Sequence, residues 1–402
     1  MLQVSERGRA MPLSPYRKLT PYADAAKQRG VQVYHLNIGQ PDIETPPAAV
    51  AAVQQAHIGV LEYSPTAGRP SYRRKLAAYY QRAGIAVQPD DILVTAGGSE
   101  AILFALLCCL NPGDELIVPE PFYGAYTAFA VATGVRIVPV AATIDNGYAL
   151  PPIAAFEEKI GPRTRALLVC NPNNPTGYVY TRAELQALLD LCRHHHLYLL
   201  SDEAYREFCY AGEYVSALHL PGAAEHVVLL DTISKRYSAC GARIGALVTQ
   251  NPALQAAAFR FAQMRVSPPG LAQLLAEAAA ELPDSYFDHA KAEYQARRDR
   301  MVARLQAMPG VQCPVPGGAF YIMARLPVDN AERFAQWLLE EFQHQGHTVM
   351  ISPAAGFYAT PGAGHNEVRL AYVINQPAID AAMICLAEGL RQYPGRTAAA
   401  GA

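Results

Sequence analysis

The sequence predicts an α/β fold: a large domain with a mostly parallel sheet flanked by helices, plus a smaller α+β domain formed by the C-terminal part and the N-terminal segment. Three observations carry this reading. Apolar runs of strand length recur between about 46 and 282 and alternate with helical stretches, the rhythm of a parallel sheet covered on both faces. From about Pro283 the rhythm changes to a long charged helix pattern and then to alternating segments. Polar clusters follow directly on four of the apolar runs, as they do where an open parallel sheet binds a ligand beyond the carboxyl ends of its strands.

Taken in order, the first segment, 1–45, holds a short helix candidate, Tyr22 to Arg29, and a strand-like "VYHLNIG". The large domain, 46–282, carries the apolar runs "DILVTA", "DELIVP", "VRIVPV", "RALLVC", "LYLLS", "HVVLLD" and "RIGALV". Between two of them, "TRAELQALLDLCRHHH" repeats apolar residues at helical spacing, with Leu185, Leu188, Leu189 and Cys192 on one face. The small domain, 283–394, opens on "YFDHAKAEYQARRDRMVARLQAM". The tail 395–402, "GRTAAAGA", is of low complexity and is expected to be disordered.

Composition excludes several classes. With 33 basic against 35 acidic residues and a formal charge of -2, the chain of 402 residues has no basic stripe for nucleic acid. Although 51% of residues are hydrophobic, no apolar run approaches the roughly eighteen residues of a membrane span. The N-terminal "MLQVSERGRAMPLSPYRKLT" lacks the apolar core of a signal peptide. Eight cysteines without a CxxC pair suggest buried thiols in a reducing, cytoplasmic setting. His194-His195-His196 is not read as a metal site, because consecutive helix positions turn by about 100° and cannot all face one ion. Trp337, with Phe334 and Leu338, reads as core, and Cys240 as packing.

The chemistry follows the strands. After "DILVTA" comes "GGSEA", two glycines and a serine opening a helix, where backbone N–H groups can hold an anion. After "RALLVC" comes "NPNNPTG" with Asn174. "LYLLS" leads into "DEAY", with Asp202 and Tyr205. "HVVLLD" leads into "TISKRYSACGARIG", with Ser234, Lys235 and Arg243. Any one of these has a bland reading as a turn, an N-cap or a surface lysine; the ordered set points further. A lysine amine can form a Schiff base with an aldehyde cofactor. Pyridoxal 5'-phosphate needs such a lysine, a carboxylate at its pyridinium nitrogen and an anion cradle for its phosphate.

With "NIGQPD", "YSPTAGRPSYR", "TAGGSEA", "PEPFYGAY", "NPNNPTG", "SDEAYREF", "TISKRYSACGARIG" and "EVRLAYV" in hand, the sequence resembles the fold-type I pyridoxal-phosphate aminotransferases of class I/II, the group of the aspartate aminotransferases, from about Leu19 to Ile384. The resemblance implies roles. Lys235 matches the Schiff-base lysine and Asp202 the pyridinium partner. Asn174 and Tyr205 match the ligands of the ring's 3-oxygen, and Tyr123 the ring stacked on the cofactor. Gly98, Ser99, Ser234 and Arg243, with Thr232 beside them, match the phosphate cradle. Arg369 matches the clamp on the substrate α-carboxylate, and Gly39 a segment closing over substrate. Tyr63 matches a tyrosine that reaches the neighbouring subunit's phosphate, which implies a homodimer with shared sites.

The implied reaction moves an amino group from an L-amino acid to a 2-oxo acid by a ping-pong course, with Lys235 shuttling the proton between substrate Cα and cofactor. Aspartate and 2-oxoglutarate are the expected pair. An aromatic or broad-range aminotransferase, or a C–S lyase or eliminase on the same fold, stands as the alternative. A regulatory aminotransferase-like domain is disfavoured, since little chain precedes Leu19 to hold a DNA-binding domain. A dicarboxylic substrate needs a second cation, for which Arg265 and Arg69, from the partner chain or a closing loop, are candidates; Arg265 could equally brace a dimer. Phe357 and Tyr358 could instead flank an apolar side chain.

Overall fold

Runs of Leu, Val and Ile without polar alternation become strands buried on both faces. The computed structural model describes residues 2–397. Its strands are β1 (Gln32–His35), β2 (Ile92–Thr95), β3 (Glu115–Glu120), β4 (Arg136–Ala141), β5 (Thr164–Cys170), β6 (Tyr198–Asp202), β7 (Val227–Thr232), β8 (Gly245–Val248), β9 (Tyr321–Arg325), β10 (His347–Met350), β11 (Ser352–Pro353) and β12 (Glu367–Ala371). Every one of the seven apolar runs forms a strand of one sheet, in the order β2-β8-β7-β6-β5-β3-β4.

Four of the six pairings in that sheet are parallel, and only those made by β8, to β7 and to β2, are antiparallel. The reason for the exception is local. Between β7 and β8 lie one helical turn, Ile233–Arg236, and a second tight turn, Cys240–Ala242. Such a connection stays at the carboxyl end of β7, so β8 returns in the opposite direction. The feature that reverses the strand is therefore the polar stretch that carries Lys235.

Both faces of the sheet are covered. Ala166 and Leu168 of β5, Leu200 of β6 and Val228 and Leu230 of β7 pack against the helices Gly98–Cys109, Ala125–Thr133 and Pro252–Met264. Leu167, Val169 and Leu199 point the other way, onto Leu185, Leu188, Leu189 and Cys192 of the helix Arg182–His194. Thr181 caps that helix reciprocally: its hydroxyl accepts from the Glu184 N–H, and the Glu184 carboxylate accepts from the Thr181 N–H.

In the C-terminal part the long helix runs Asp284–Gln306, and β11, β12 and β9 form an antiparallel sheet. The N-terminal segment is stitched to this part. Its helix Thr20–Gln28 leads into β1, which pairs in parallel with β10 from Gln32↔His347 to His35↔Met350. The Ala371 N–H then donates to the Leu36 carbonyl at 2.8 Å. In the tail, Arg396 bridges Val328 and the Thr397 N–H donates to the Pro327 carbonyl, so these positions are tied down rather than loose; 398–402 lie outside the described residues. Among the described residues no helix is long and apolar enough to cross a membrane.

A buried charge network fixes the end of β7. Asp231 accepts two hydrogen bonds from Arg236 Nη1, both 2.8 Å, one from the Tyr80 hydroxyl at 2.6 Å and one from the Thr232 N–H at 2.7 Å. Arg206 lies 3.7 Å from the same carboxylate and 3.3 Å from Glu203. Burial alone would push Asp231 toward its neutral form, but Arg236 and Arg206 hold its pKa below the ordinary value. Removing one partner of such a pair strands a charge, whereas removing both does not. Arg236→Met is expected to lower the unfolding free energy by about 3 kcal/mol in urea titrations at fixed protein concentration, and adding Asp231→Asn is expected to recover part of the loss.

Candidate active site

A cavity of about 400 Å³ opens at the carboxyl ends of the parallel strands. Lys235 is the third residue of the helical turn after β7, and its Nζ donates to the Gly39 carbonyl at 2.8 Å. Asp202 ends β6. Its Oδ2 accepts from the Tyr126 hydroxyl at 2.8 Å and its Oδ1 from the Ala204 N–H at 3.2 Å. Burial, the largest influence, raises this carboxyl from 3.8 to about 6, against the pull of those two hydrogen bonds. The phenol of Tyr205 meets that of Tyr321 at 2.7 Å, and burial raises its pKa well above the usual value. Tyr123 is pushed up to about 12 by the same cause.

The anion-binding wall has the donors that a phosphate needs. The helix Gly98–Cys109 begins here, and its first N–H groups have no intrahelical acceptor. The Ser99 and Ser234 hydroxyls line the cavity, and Thr232 Oγ1 lies 2.8 Å from Ser234 Oγ. Arg243 takes a left-handed backbone, φ 54°, a conformation that costs a side chain roughly 1–3 kcal/mol and clusters at functional sites. It brings the guanidinium against Gly97, where an added Cβ would stand 2.2 Å from Nη2; Gly97 itself has φ 83°, open to glycine. This cradle of hydroxyls, helix N–H groups and one arginine fits a phosphate dianion.

Arg369 also lines the cavity and is buried in β12. Its Nη1 donates to Asn174 Oδ1 at 2.9 Å and its Nη2 to the Asn37 carbonyl at 2.6 Å, while the buried Nε has no partner. Its guanidinium carbon sits 4.2 Å from the Tyr321 ring centroid, 4.3 Å from Tyr16 and 4.9 Å from Phe357, an aromatic cage that orients a cation. Gly39 passes so close to Tyr321 that a Cβ would fall 1.9 Å from the phenol oxygen.

The cavity thus gathers Gly39, Gly98, Ser99, Tyr123, Asn174 and Asp202 with Tyr205, Thr232, Ser234, Lys235, Arg243 and Arg369. Tyr63 is not among them; it is 83% exposed on the surface. Arg265 does not face the cavity either. It is spent within the chain, with Nε on the Glu100 carboxylate at 3.0 Å and Nη2 on the Val94 carbonyl at 2.7 Å. Arg69 lies outside the lining, 3.9 Å from Glu277. Phe357 packs beneath Arg369 and Tyr358 bonds Glu367, so neither lines the cavity. The three histidines stand elsewhere, His195 at 3.5 Å from Glu157. Cys240 is half-buried, its thiol on the Ser234 carbonyl at 3.1 Å. Sequence reasoning missed Tyr16, Arg17, Tyr126 and Tyr321. Only Tyr126 left a trace, three residues after Tyr123 at the start of a helix.

At the ends of its parallel strands the large sheet carries a lysine, a buried carboxyl and an anion cradle. The chain belongs to the family Aminotransferase class I and II, which matches residues 31–380 and whose members use pyridoxal phosphate. It is 34% identical to the arginine–pyruvate transaminase AruH of Pseudomonas aeruginosa over 380 residues, 92% of this chain and 93% of that protein. It is 33% identical to the aspartate/prephenate aminotransferase of Thermus thermophilus, over 94% of this chain and 96% of the relative. Among solved structures, the Thermus thermophilus aspartate aminotransferase with maleate superposes with a TM-score of 0.88 at 31% identity, covering 97% of this chain and all of that one. The chain is a pyridoxal-phosphate-dependent aminotransferase.

The raised carboxyl makes a prediction for protein stripped of cofactor. A carboxyl with a higher pKa folded than unfolded supports the fold at low pH, and that support is lost as pH rises from about 4 through about 6. For Asp202 the shift corresponds to roughly 3 kcal/mol. Asp202→Asn is therefore expected to be more stable than the parent at pH 8, with the advantage vanishing below about pH 4, as read from paired urea titrations.

Proposed function

We propose that this cavity moves an amino group from an L-amino acid to a 2-oxo acid, with aspartate and 2-oxoglutarate as the pair. The observation that carries the proposal is that Lys235, Asp202 and Arg369 line one cavity. Pyridoxal phosphate, when bound, supplies an electron sink for the pair released as the substrate's Cα–H bond breaks. Gly98, Ser99, Ser234 and Arg243, with Thr232, would hold its phosphate. Asp202 would face its ring nitrogen, Tyr123 would stack on the ring, and Asn174 and Tyr205 would bond the 3-oxygen.

Each remaining step falls to a side chain of this protein. Arg369 binds the substrate α-carboxylate in a two-pronged, charge-assisted pair. Its aromatic cage and the Asn174 and Asn37 acceptors hold the guanidinium before substrate arrives, so little orientation is lost on binding. Lys235 takes the proton from substrate Cα and returns it one position away, acting as base and then acid. Gly39, whose carbonyl already accepts from Lys235 Nζ, belongs to the segment that closes over the substrate and keeps water out.

Support for a dicarboxylic substrate comes from the Thermus relatives, one named for aspartate and prephenate and one solved with maleate. AruH is named for arginine, which makes a cationic substrate the second reading. Treating the protein with borohydride is expected to fix the cofactor on a peptide containing Lys235. Lys235→Ala is expected to bind the cofactor and to lose at least about 10³-fold in kcat. Fixation on another lysine, such as Lys291, would refute the assignment.

We also infer a homodimer with shared sites. Val60, Leu61 and Tyr63 stand exposed, and the Leu61 side chain and Glu62 backbone lie beside Gly270, next to the exposed Met264 and Val266. In a mixed dimer of Lys235→Ala and Tyr63→Phe chains, one site carries both lesions and the other neither. Activity after subunit exchange is expected to exceed that of both parents; a fully active monomer in sedimentation would contradict shared sites.

A further inference from the structure

Resting on that reading, we propose that Arg17 sets substrate specificity by taking the second carboxylate of a dicarboxylic substrate. Four basic side chains line the cavity: Arg17, Lys235, Arg243 and Arg369. Three of them already have work within the site. Arg369 meets the α-carboxylate, Arg243 belongs to the anion cradle and Lys235 to proton transfer. Within this chain, Arg265 has its donors taken by Glu100 and Val94, and Arg69 stands outside the lining.

Arg17 is presented by an anchored turn. The Arg17 and Lys18 N–H groups both donate to the Ser14 carbonyl at 3.1 Å. On one side, the Tyr16 carbonyl accepts from buried Asn37 at 2.7 Å and its phenol oxygen from the Gly124 N–H at 3.0 Å. On the other, Lys18 is ion-paired with Glu332. Between these fixed neighbours the Arg17 side chain has no hydrogen bond or ion pair among the described residues, although it borders the cavity. The ring of Tyr16 covers Arg369 at 4.3 Å, and Arg17, the next residue along the chain, lines the same cavity as a second guanidinium. Two guanidinium groups around one small cavity suit a molecule with a carboxylate at each end.

The charge of the lining also argues against a cationic substrate side chain. Its acidic members are Asp202 and Asp231. Asp231 is satisfied by Arg236 and Tyr80, and Asp202 sits at the strand end bonded to Tyr126. Within this chain's lining a cationic side chain would meet Arg17 and no carboxylate left to pair with it.

The test compares succinate with butyrate on the cofactor-loaded protein by titration calorimetry. The two ligands share one carboxylate and differ by the second. Arg17→Gln is expected to weaken succinate at least about fivefold more than butyrate, and Arg17→Lys to restore part of the loss. In parallel, the ratio of kcat/KM for aspartate over alanine is expected to fall by a similar factor in Arg17→Gln. A parent protein that binds succinate no better than butyrate, or a selective loss below about fivefold, overturns the assignment. If the parent converts neither amino acid, the transfer reading fails, and the ligand titration still decides Arg17.

Discussion

The site depends on the in-register, parallel pairing of β5, β6 and β7. Cys170 lies opposite Asp202, and Asp202 opposite Leu230, so β5 and β6 end level with one another and β7 runs two residues further, to Thr232. The segments that leave them begin side by side: the loop to Asn174, the turn to Tyr205 and the helical turn to Lys235. Because side chains alternate along a strand, a slip of one residue would turn Asp202 away from the cavity and bring Ser201 or Glu203 into its place. Such a slip would unpack both faces at once, since β6 buries Leu199 on one layer of helices and Leu200 on the other. Core packing therefore sets the relative height of the polar groups at the strand ends.

At two neighbouring strand ends, aspartates of equal burial have opposite chemistry. Asp231 has an arginine, a phenol and a backbone N–H on its oxygens, with a second arginine nearby, and is held ionised. Asp202 has one phenol and one backbone N–H and no cation beside it, and its pKa rises. Hydrogen bonds from neutral donors offset part of the cost of burying a carboxylate; nearby positive charge offsets the rest. The first aspartate is a structural anchor beneath Lys235. The second is a carboxyl whose ionisation awaits a positive partner, which is the electrostatic state suited to meeting a cationic ring nitrogen.

The N-terminal segment closes the cavity from the other side. Through β1 and β10 it joins the C-terminal part, and through Asn37 and Tyr16 it packs on Arg369. Arg369 is thereby oriented by residues more than 300 positions away in the chain. A guanidinium held between aromatic rings and two carbonyl-type acceptors keeps its geometry without a bound carboxylate, and that preorganisation serves recognition.

By itself the sequence determined the alternating strands and helices, the capped helix from Arg182 and the motifs at the strand ends, because periodicity and turn chemistry are local properties of a chain. The family resemblance supplied the roles expected of Lys235, Asp202 and Arg369. Tertiary structure decided what depends on approach between distant segments. It reversed β8, committed Arg265 to Glu100 and Val94, and set Tyr63 on the outer surface. It also brought Tyr16, Arg17 and Tyr321 to the cavity and the Tyr126 hydroxyl to Asp202, and of these only Tyr126 stands in one of the motifs. An arginine reads the same in sequence whether it braces a helix or faces a ligand; only the presence or absence of a carboxylate within reach, fixed by the packing of remote strands, separates the two.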